Sequence, residues 1–297
     1  VLDLLPQLLV NALISGSLYA LMSSGLSLSY GLLGVLNFSH GQTMMVGAYL
    51  LLYFLETCKL SLVSASVCTF FSVLALGAIV FNVFVRPFTR FDMVLTLVTT
   101  LALANMLENG VAMLFGVNVK SYPSTFDIDV FELGPIFVTN VQVFIIFSAL
   151  ILLTLLALLI HKTSFGRAVR AVSENAYASQ SLGISRQKLN YVVFIGGTVF
   201  ATLSGILLAY ETNLSPTMGG TLTIKCFAAM ILGGLGNIWG TVIGSYILGL
   251  IENLSVGVEI YGYSIPAGYK DAVAFMTILV VLLFFPNGIF NKKAREF

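Results

Sequence analysis

The sequence predicts an all-α, polytopic transmembrane helix bundle with about eight to nine membrane segments, some short or broken. Three observations predict it. Apolar residues make up 58% of the 297 residues and charged residues only 9%. Mean hydropathy is +0.99. Apolar runs of about 20 residues, the length that crosses a bilayer, recur along the chain. A soluble domain is about one-quarter charged. The 14 basic and 13 acidic side chains here cannot cover a water-facing surface of this size, so the missing polar skin implies lipid. The 27 glycines suit helices that pack closely in a membrane.

Polar or Gly/Pro punctuation bounds nine apolar runs. They are Leu4–Leu36 (one long or broken segment), Thr43–Leu55, Leu60–Val85, Met93–Val117, Val141–Ile160, Tyr191–Tyr210, Leu222–Leu235, Ile238–Val256 and Ala272–Phe285. Thr43–Leu55 and Leu222–Leu235 are too short to cross alone. In lipid, short or broken pieces must lean on protein or line a cavity, because nothing else satisfies their backbone groups.

Orientation follows from Lys and Arg, which collect on the cytoplasmic side. Arg86 and Arg90 fall in one connection. Lys162, Arg167, Arg170, Arg186 and Lys188 fall in 161–189, and Lys292, Lys293 and Arg295 in the C-terminal tail. All three stretches are therefore expected to be cytoplasmic. The loop 118–140 carries Asp127, Asp129 and Glu132 against Lys120, so it is expected outside. This parity requires Leu222–Leu235 to reach the inner side or to be re-entrant. With a single crossing by Leu4–Leu36, the N-terminus lies outside. The chain reads as one transmembrane domain, 1–297, with 161–189 as a cytoplasmic loop within it.

A net charge of +1 makes no case for nucleic acid. Cys58, Cys68 and Cys226 lack metal-ligand spacing and read as small apolar packing residues. There is no phosphate loop, serine elbow, Cys/His pair or metal cluster. No catalytic residue and no metal ligand is expected.

Three stretches carry chemistry. Asn37, Ser39, His40 and Gln42 cluster around Gly41 between apolar segments. Glycine permits a helix break, so the stretch is either a capped helix–helix turn or an element of a solute path. A faint parallel repeat relates Leu33–Tyr49 to Leu232–Tyr246. It adds Asn237 and Trp239, in a matching Gly236–Gly240 break, to the path candidates, and it places the two breaks close together. Glu108 lies nine residues from the outer end of its run, ~13 Å deep at 1.5 Å per residue. A charge there must face the bundle or water, with Asn105 and Asn109 nearby, as a structural hydrogen bond or as a ligand contact. Lys225, Glu211 and Glu252 lie near outer run ends and are expected to snorkel.

The third stretch is Ser164–Ile184. Ser173 or Asn175 can cap a helix and Gly183 fits a helix stop. One or two short helices with small apolar faces and basic flanks are expected, suited either to a partner's groove or to the membrane interface.

Several motifs, in order, resemble the membrane permeases of bacterial ATP-binding-cassette (ABC) importers for branched-chain amino acids. They are Asn37-Phe38-Ser39-His40-Gly41 with Gly47-Ala48-Tyr49, Arg86-Pro87, Gly166-Arg167-Ala168 through Leu182-Gly183-Ile184, Leu232-Gly233-Gly234-Leu235-Gly236, Tyr269-Lys270-Asp271-Ala272-Val273 and Pro286-Asn287-Gly288. One departure is Tyr177-Ala178-Ser179, where the family often has Glu-Ala-Ala.

The resemblance implies a transport subunit, not an enzyme, in a bacterial inner membrane, with branched-chain amino acids or a similar small polar solute as cargo. It implies a second permease subunit, similar or identical, two cytoplasmic ATPases and an extracytoplasmic solute-binding protein. It implies no cofactor in this chain, with ATP and Mg on the ATPases. Docking onto the ATPase falls to Arg167, Arg170, Ala171, Glu174, Ala178, Leu182 and Gly183. Related permeases serve urea or short amides. A secondary transporter driven by an ion gradient, and a channel, are the competing classes.

Overall fold

The computed structural model describes residues 4–90, 92–123, 129–257, 266–286 and 288–290. Asp127, Asn287 and the basic tail residues Lys292, Lys293 and Arg295 lie outside the described residues.

Each apolar run becomes a helix. In chain order they are α1 (Leu5–Leu33), α2 (His40–Glu56), α3 (Leu62–Ile79, extended by a π-helical turn Val80–Val85), α4 (Met93–Phe115) and α5 (Asn140–Lys162). Two short helices follow, α6 (Ser164–Glu174) and α7 (Ala176–Ser181). Then come α8 (Arg186–Thr212), α9 (Met218–Gly233), α10 (Ile238–Gly257) and α11 (Lys270–Phe284). The all-helical expectation needs one addition. Strands β1 (Val130–Leu133) and β2 (Ile136–Thr139) pair antiparallel in the loop before α5. Gly134, at φ 64°, and Pro135 make their two-residue turn, where a positive φ suits glycine.

Among the described residues, five helices are long and apolar enough to cross a membrane alone: α1, α3 with its π turn, α4, α5 and α8. The expected eight to nine crossings are thus not all self-sufficient spans. Helices α9 and α10 are bent by 115° at their break, so the short run before the bend forms a helical hairpin with α10. α1 is continuous to Leu33, so of the two readings of Leu4–Leu36, one long segment or a broken one, the long one holds.

α1 sits at the centre. Every residue from Gly16 to Ser29 is buried, as expected of a helix enclosed on all sides. Its antiparallel partner is α10. Ser23 shares a hydrogen bond with Ser245 (2.7 Å), Thr241 donates to Ser27 (3.0 Å), and Gly16 meets Gly249 and the Tyr246 ring. Without a hydrophobic drive between helices in lipid, such small residues and hydroxyls supply the packing, at about 0.6 kcal/mol per hydrogen bond. Gly25 meets Gly197 of α8 backbone to backbone. The outer faces of α3, α4 and α5 expose Phe71, Met113, Leu114, Phe144 and Phe147, the apolar stripe that lipid covers.

Candidate functional site

α1 ends because Gly34 takes φ 70° and its N–H bonds the Tyr30 carbonyl. Residues 34–39 then lead back along α1, and α2 starts beside its middle. The His40 imidazole hydrogen-bonds the Met22 carbonyl through Nε2 (3.1 Å). A carbonyl only accepts, so Nε2 carries the proton. Asn37 Oδ1 accepts from the Ser39 N–H (3.1 Å) and hydroxyl (2.7 Å). Asn37, Ser39, His40 and Gln42 are all buried.

The start of α2 meets the start of α9. The Gly41 N–H donates to Thr223 Oγ1 (3.0 Å), and Thr223 donates to the Gly219 carbonyl (2.8 Å). A Cβ on Gly41 would lie 2.0 Å from that carbonyl, so glycine is required by the close approach. Gln42 Nε2 donates to Glu108 Oε2 of α4 (2.7 Å), while Gln42 Oε1 is buried without a hydrogen-bond partner. Glu108 therefore turns toward the bundle. Its partner is Gln42, and not the sequence neighbours Asn105 and Asn109, which lie exposed, the Asn109 side chain donating to the Asn105 backbone carbonyl.

Chemically, two helix N-termini converge here. Each presents the positive end of a helix dipole, which favours a carboxylate. The Glu108 carboxylate and the Gln42 amide oxygen supply acceptors for an ammonium group.

The second break does not join this cluster. Gly234 (φ 106°) and Gly236 (φ 77°) turn the chain, and Gly236 packs on Gly31 at the far end of α1. Asn237 caps α10 through the Gly240 N–H (3.1 Å) and donates to the Phe290 carbonyl (3.0 Å). Trp239 is exposed, stacks on His161 of α5 at 5.6 Å between centroids, and donates to its Nε2 (3.0 Å). The expected adjacency of the breaks is corrected. They lie at opposite ends of α9, ten residues apart between Thr223 and Gly233, or ~15 Å. Both copies of the sequence similarity are breaks with a positive-φ glycine, but the first meets the start of α9 and not the second.

Sequence reasoning missed a charged network. Lys225 of α9 lies 3.2 Å from Glu252 of α10 and 2.8 Å from Asp271 of α11. The Tyr19 hydroxyl of α1 donates to Glu252 (2.7 Å) and accepts from Lys225 (3.0 Å). Lys270 donates to Asn253 (3.2 Å). Lys225 and Glu252 do not snorkel: Glu252 is wholly buried. Four helices bring two cations and two anions together, so neither sign is left alone in the bundle. Glu211 does stay at the surface, where it accepts from Gln142 (2.8 Å). Cys58 is exposed, against the packing expectation, whereas Cys226 is buried.

α6 and α7 form as the capping residues dictate. Thr163 accepts from the Gly166 N–H to start α6, and Gly166 packs against the Ile160 carbonyl. Val169 and Val172 bury against Leu28, Leu32, Leu156 and Val193. Of the two offered caps, Asn175 is used: its side chain accepts from the Tyr177 and Ala178 N–H groups (3.1 and 3.0 Å), while Ser173 bonds back to Arg170. Gly183 takes φ 83° and closes α7. Arg167, Glu174, Ala178, Leu182 and Gly183 are exposed, and Ala171 is half-buried. Arg170 is half-buried, and its guanidinium donates to the Ile160 carbonyl at the end of α5. Within 161–189, the most exposed large apolar groups are Tyr177 (84%) and Leu182 (80%). Tyr177 was missed as a surface group because it departs from the triplet expected there.

Comparison with known proteins follows the same lines. Residues 8–282 match the family model for the branched-chain amino acid transport system permease component. The high-affinity branched-chain amino acid transport system permease BraD of Pseudomonas aeruginosa is 29% identical, over 98% of this chain and 97% of its own. LivH of Escherichia coli K12 is also 29% identical, over 98% and 96%. A probable LivH permease of Methanocaldococcus jannaschii is 28% identical, over 95% and 91%. The fold is shared with a chain of the PsaBC–Fab complex from Streptococcus pneumoniae, at TM-score 0.52 and 11% identity, over 93% of this chain and 91% of that one.

Proposed function

The chain belongs to the family of branched-chain amino acid transport permease components, and we propose that it passes branched-chain amino acids, or a similar small polar solute, through an ABC importer. It is a transport subunit, not an enzyme. The observation that carries the solute class is the meeting of α2 and α9 at Gly41 and Gly219 beside the Gln42–Glu108 pair. Helix N-termini suit the carboxylate of an amino acid, and the acidic side suits its ammonium group. Asn37, Ser39 and His40 shape this break. Asn237 and Trp239 belong to the far end of the path, beside His161.

Residues 1–297 act as one permease domain in the bacterial inner membrane, with 161–189 and the C-terminus cytoplasmic. A second permease subunit, two ATPases carrying ATP and Mg, and an extracytoplasmic solute-binding protein complete the importer. The exposed face of α6 and α7, from Arg167 and Glu174 to Ala178, Leu182 and Gly183, takes up the ATPase, with Ala171 allowing close approach. The test is uptake of radiolabelled leucine, isoleucine and valine by proteoliposomes holding the assembled importer, with urea as competitor. Uptake is expected to need ATP and the binding protein and to ignore urea. Uptake driven by an ion gradient without ATP contradicts the proposal.

A further inference from the structure

Where α3 leaves the bundle and α8 enters it, a cavity of about 540 Å³ opens between them. Its charged lining is Arg86, Arg186 and Lys188, and among the described residues no carboxylate lines it. Among the described residues none of the three cations is in an ion pair. Three like charges around one space repel one another unless an anion sits between them. The start of α8 adds to the same field: Ser185 provides no side-chain cap, so the first N–H groups of this 27-residue helix remain to be satisfied.

The cavity floor is apolar, formed by Leu33 and Phe81. Immediately before it, Ile79 and Val83 of α3 are exposed on the lipid-facing stripe, at 55% and 53%. A ligand that is anionic at one end and apolar at the other fits this junction. Arginine forks match phosphate oxygens in pairs, and basic pockets at the membrane interface attract anionic lipid.

We propose that the Arg86–Arg186–Lys188 cavity binds the phosphate headgroup of an anionic phospholipid, whose acyl chains lie along Ile79 and Val83. Thr89 and Gln180 reach the same space from the α3–α4 connection and from α7. A bound headgroup therefore bridges the α7–α8 connection to α3. A free anion would not use the apolar stripe, and a carboxylate of a partner protein would occupy the cavity without lipid.

Native mass spectrometry tests this on the full chain, purified in mild detergent with the subunits that accompany it. Phosphatidylglycerol, cardiolipin, phosphatidylcholine and inorganic phosphate are added separately. Phosphatidylglycerol and cardiolipin are expected to give persistent adducts, and phosphatidylcholine and inorganic phosphate are not expected to displace them. Each basic residue near the surface strengthens such binding about five-fold, so Arg86→Gln with Arg186→Gln and Lys188→Gln weakens it about 100-fold. Arg186→Gln alone weakens it about five-fold, and Arg86→Lys with Arg186→Lys, which keep the charge, retain it. The proposal is overturned by equal adducts in wild type and the triple variant, or by equal binding of phosphatidylcholine. Displacement by inorganic phosphate overturns it in favour of a free anion. Lipid binding seen only after removal of an accompanying subunit overturns it in favour of a protein carboxylate.

Discussion

Lys225 of α9 and Glu252 of α10 form an ion pair of 3.2 Å inside the bundle, where Glu252 has no exposed surface. Without Lys225 the buried Glu252 keeps, among the described residues, only the cation Lys270, 4.0 Å away, whereas Lys225 without Glu252 keeps Asp271 at 2.8 Å. A buried charge that loses its close partner costs about 3–5 kcal/mol. Lys225→Met is expected to lower thermal stability of the purified protein by that order, and Glu252→Gln by less, because Lys225 keeps Asp271. The double variant is expected to lose less than the sum of the two, because neighbours in one network are not additive. Singles that melt like wild type would show that the network contributes nothing to the fold.

The meeting of Gly41 and Gly219 predicts a sharp steric contrast. Gly41→Ala places its Cβ 2.0 Å from the Gly219 carbonyl and 2.3 Å from Thr223 Oγ1. Overpacking of this kind costs about 1–3 kcal/mol. Gly110→Ala, in α4, meets nothing within 4 Å and is expected to be neutral or mildly stabilising, since alanine favours the helix. Thermal unfolding of both variants checks this. Equal stability would mean that α2 and α9 separate readily at their N-termini.

The sequence made the helices legible because lipid leaves few options: each of the nine apolar runs is a helix with ends within a few residues of those expected. The Asn175 cap and the Gly183 stop were legible as well, since each depends on local backbone chemistry. The break expected at Asn37–Gln42 around Gly41, however, lies earlier, at Gly34–Ser39, and Gly41 sits in the first turn of α2. What joins distant helices was not legible. Tyr19 and Glu252 are 233 residues apart, and no periodicity links them. Glu108 was correctly turned inward by the cost of burying a charge, but its partner Gln42, 66 residues away, depends on how α2 lies on α4. The Arg170 bond to the Ile160 carbonyl was not legible either, because it closes only when α6 folds back on α5.

The Gln42–Glu108 pair predicts a transport phenotype separate from stability. Glu108→Gln keeps shape and hydrogen bonding but removes the charge proposed to face a solute ammonium. A hydrogen bond to a charged group contributes about 1.5–3 kcal/mol, so the KM for leucine uptake is expected to rise about ten-fold or more, with the melting temperature held. An unchanged KM would make the pair a helix–helix contact only.

The central claim is that a separate ATPase energises this permease through the exposed face of α7. Leu182 is 80% exposed and Tyr177 84%, and Gly183 is unsuited to a test because its φ of 83° strains any other residue. The decisive measurement uses Leu182→Asp in the assembled importer, following both ATPase copurification and ATP-dependent leucine uptake in proteoliposomes. The account predicts normal membrane insertion, loss of the copurifying ATPase and loss of uptake. Full copurification with full uptake by Leu182→Asp would contradict it.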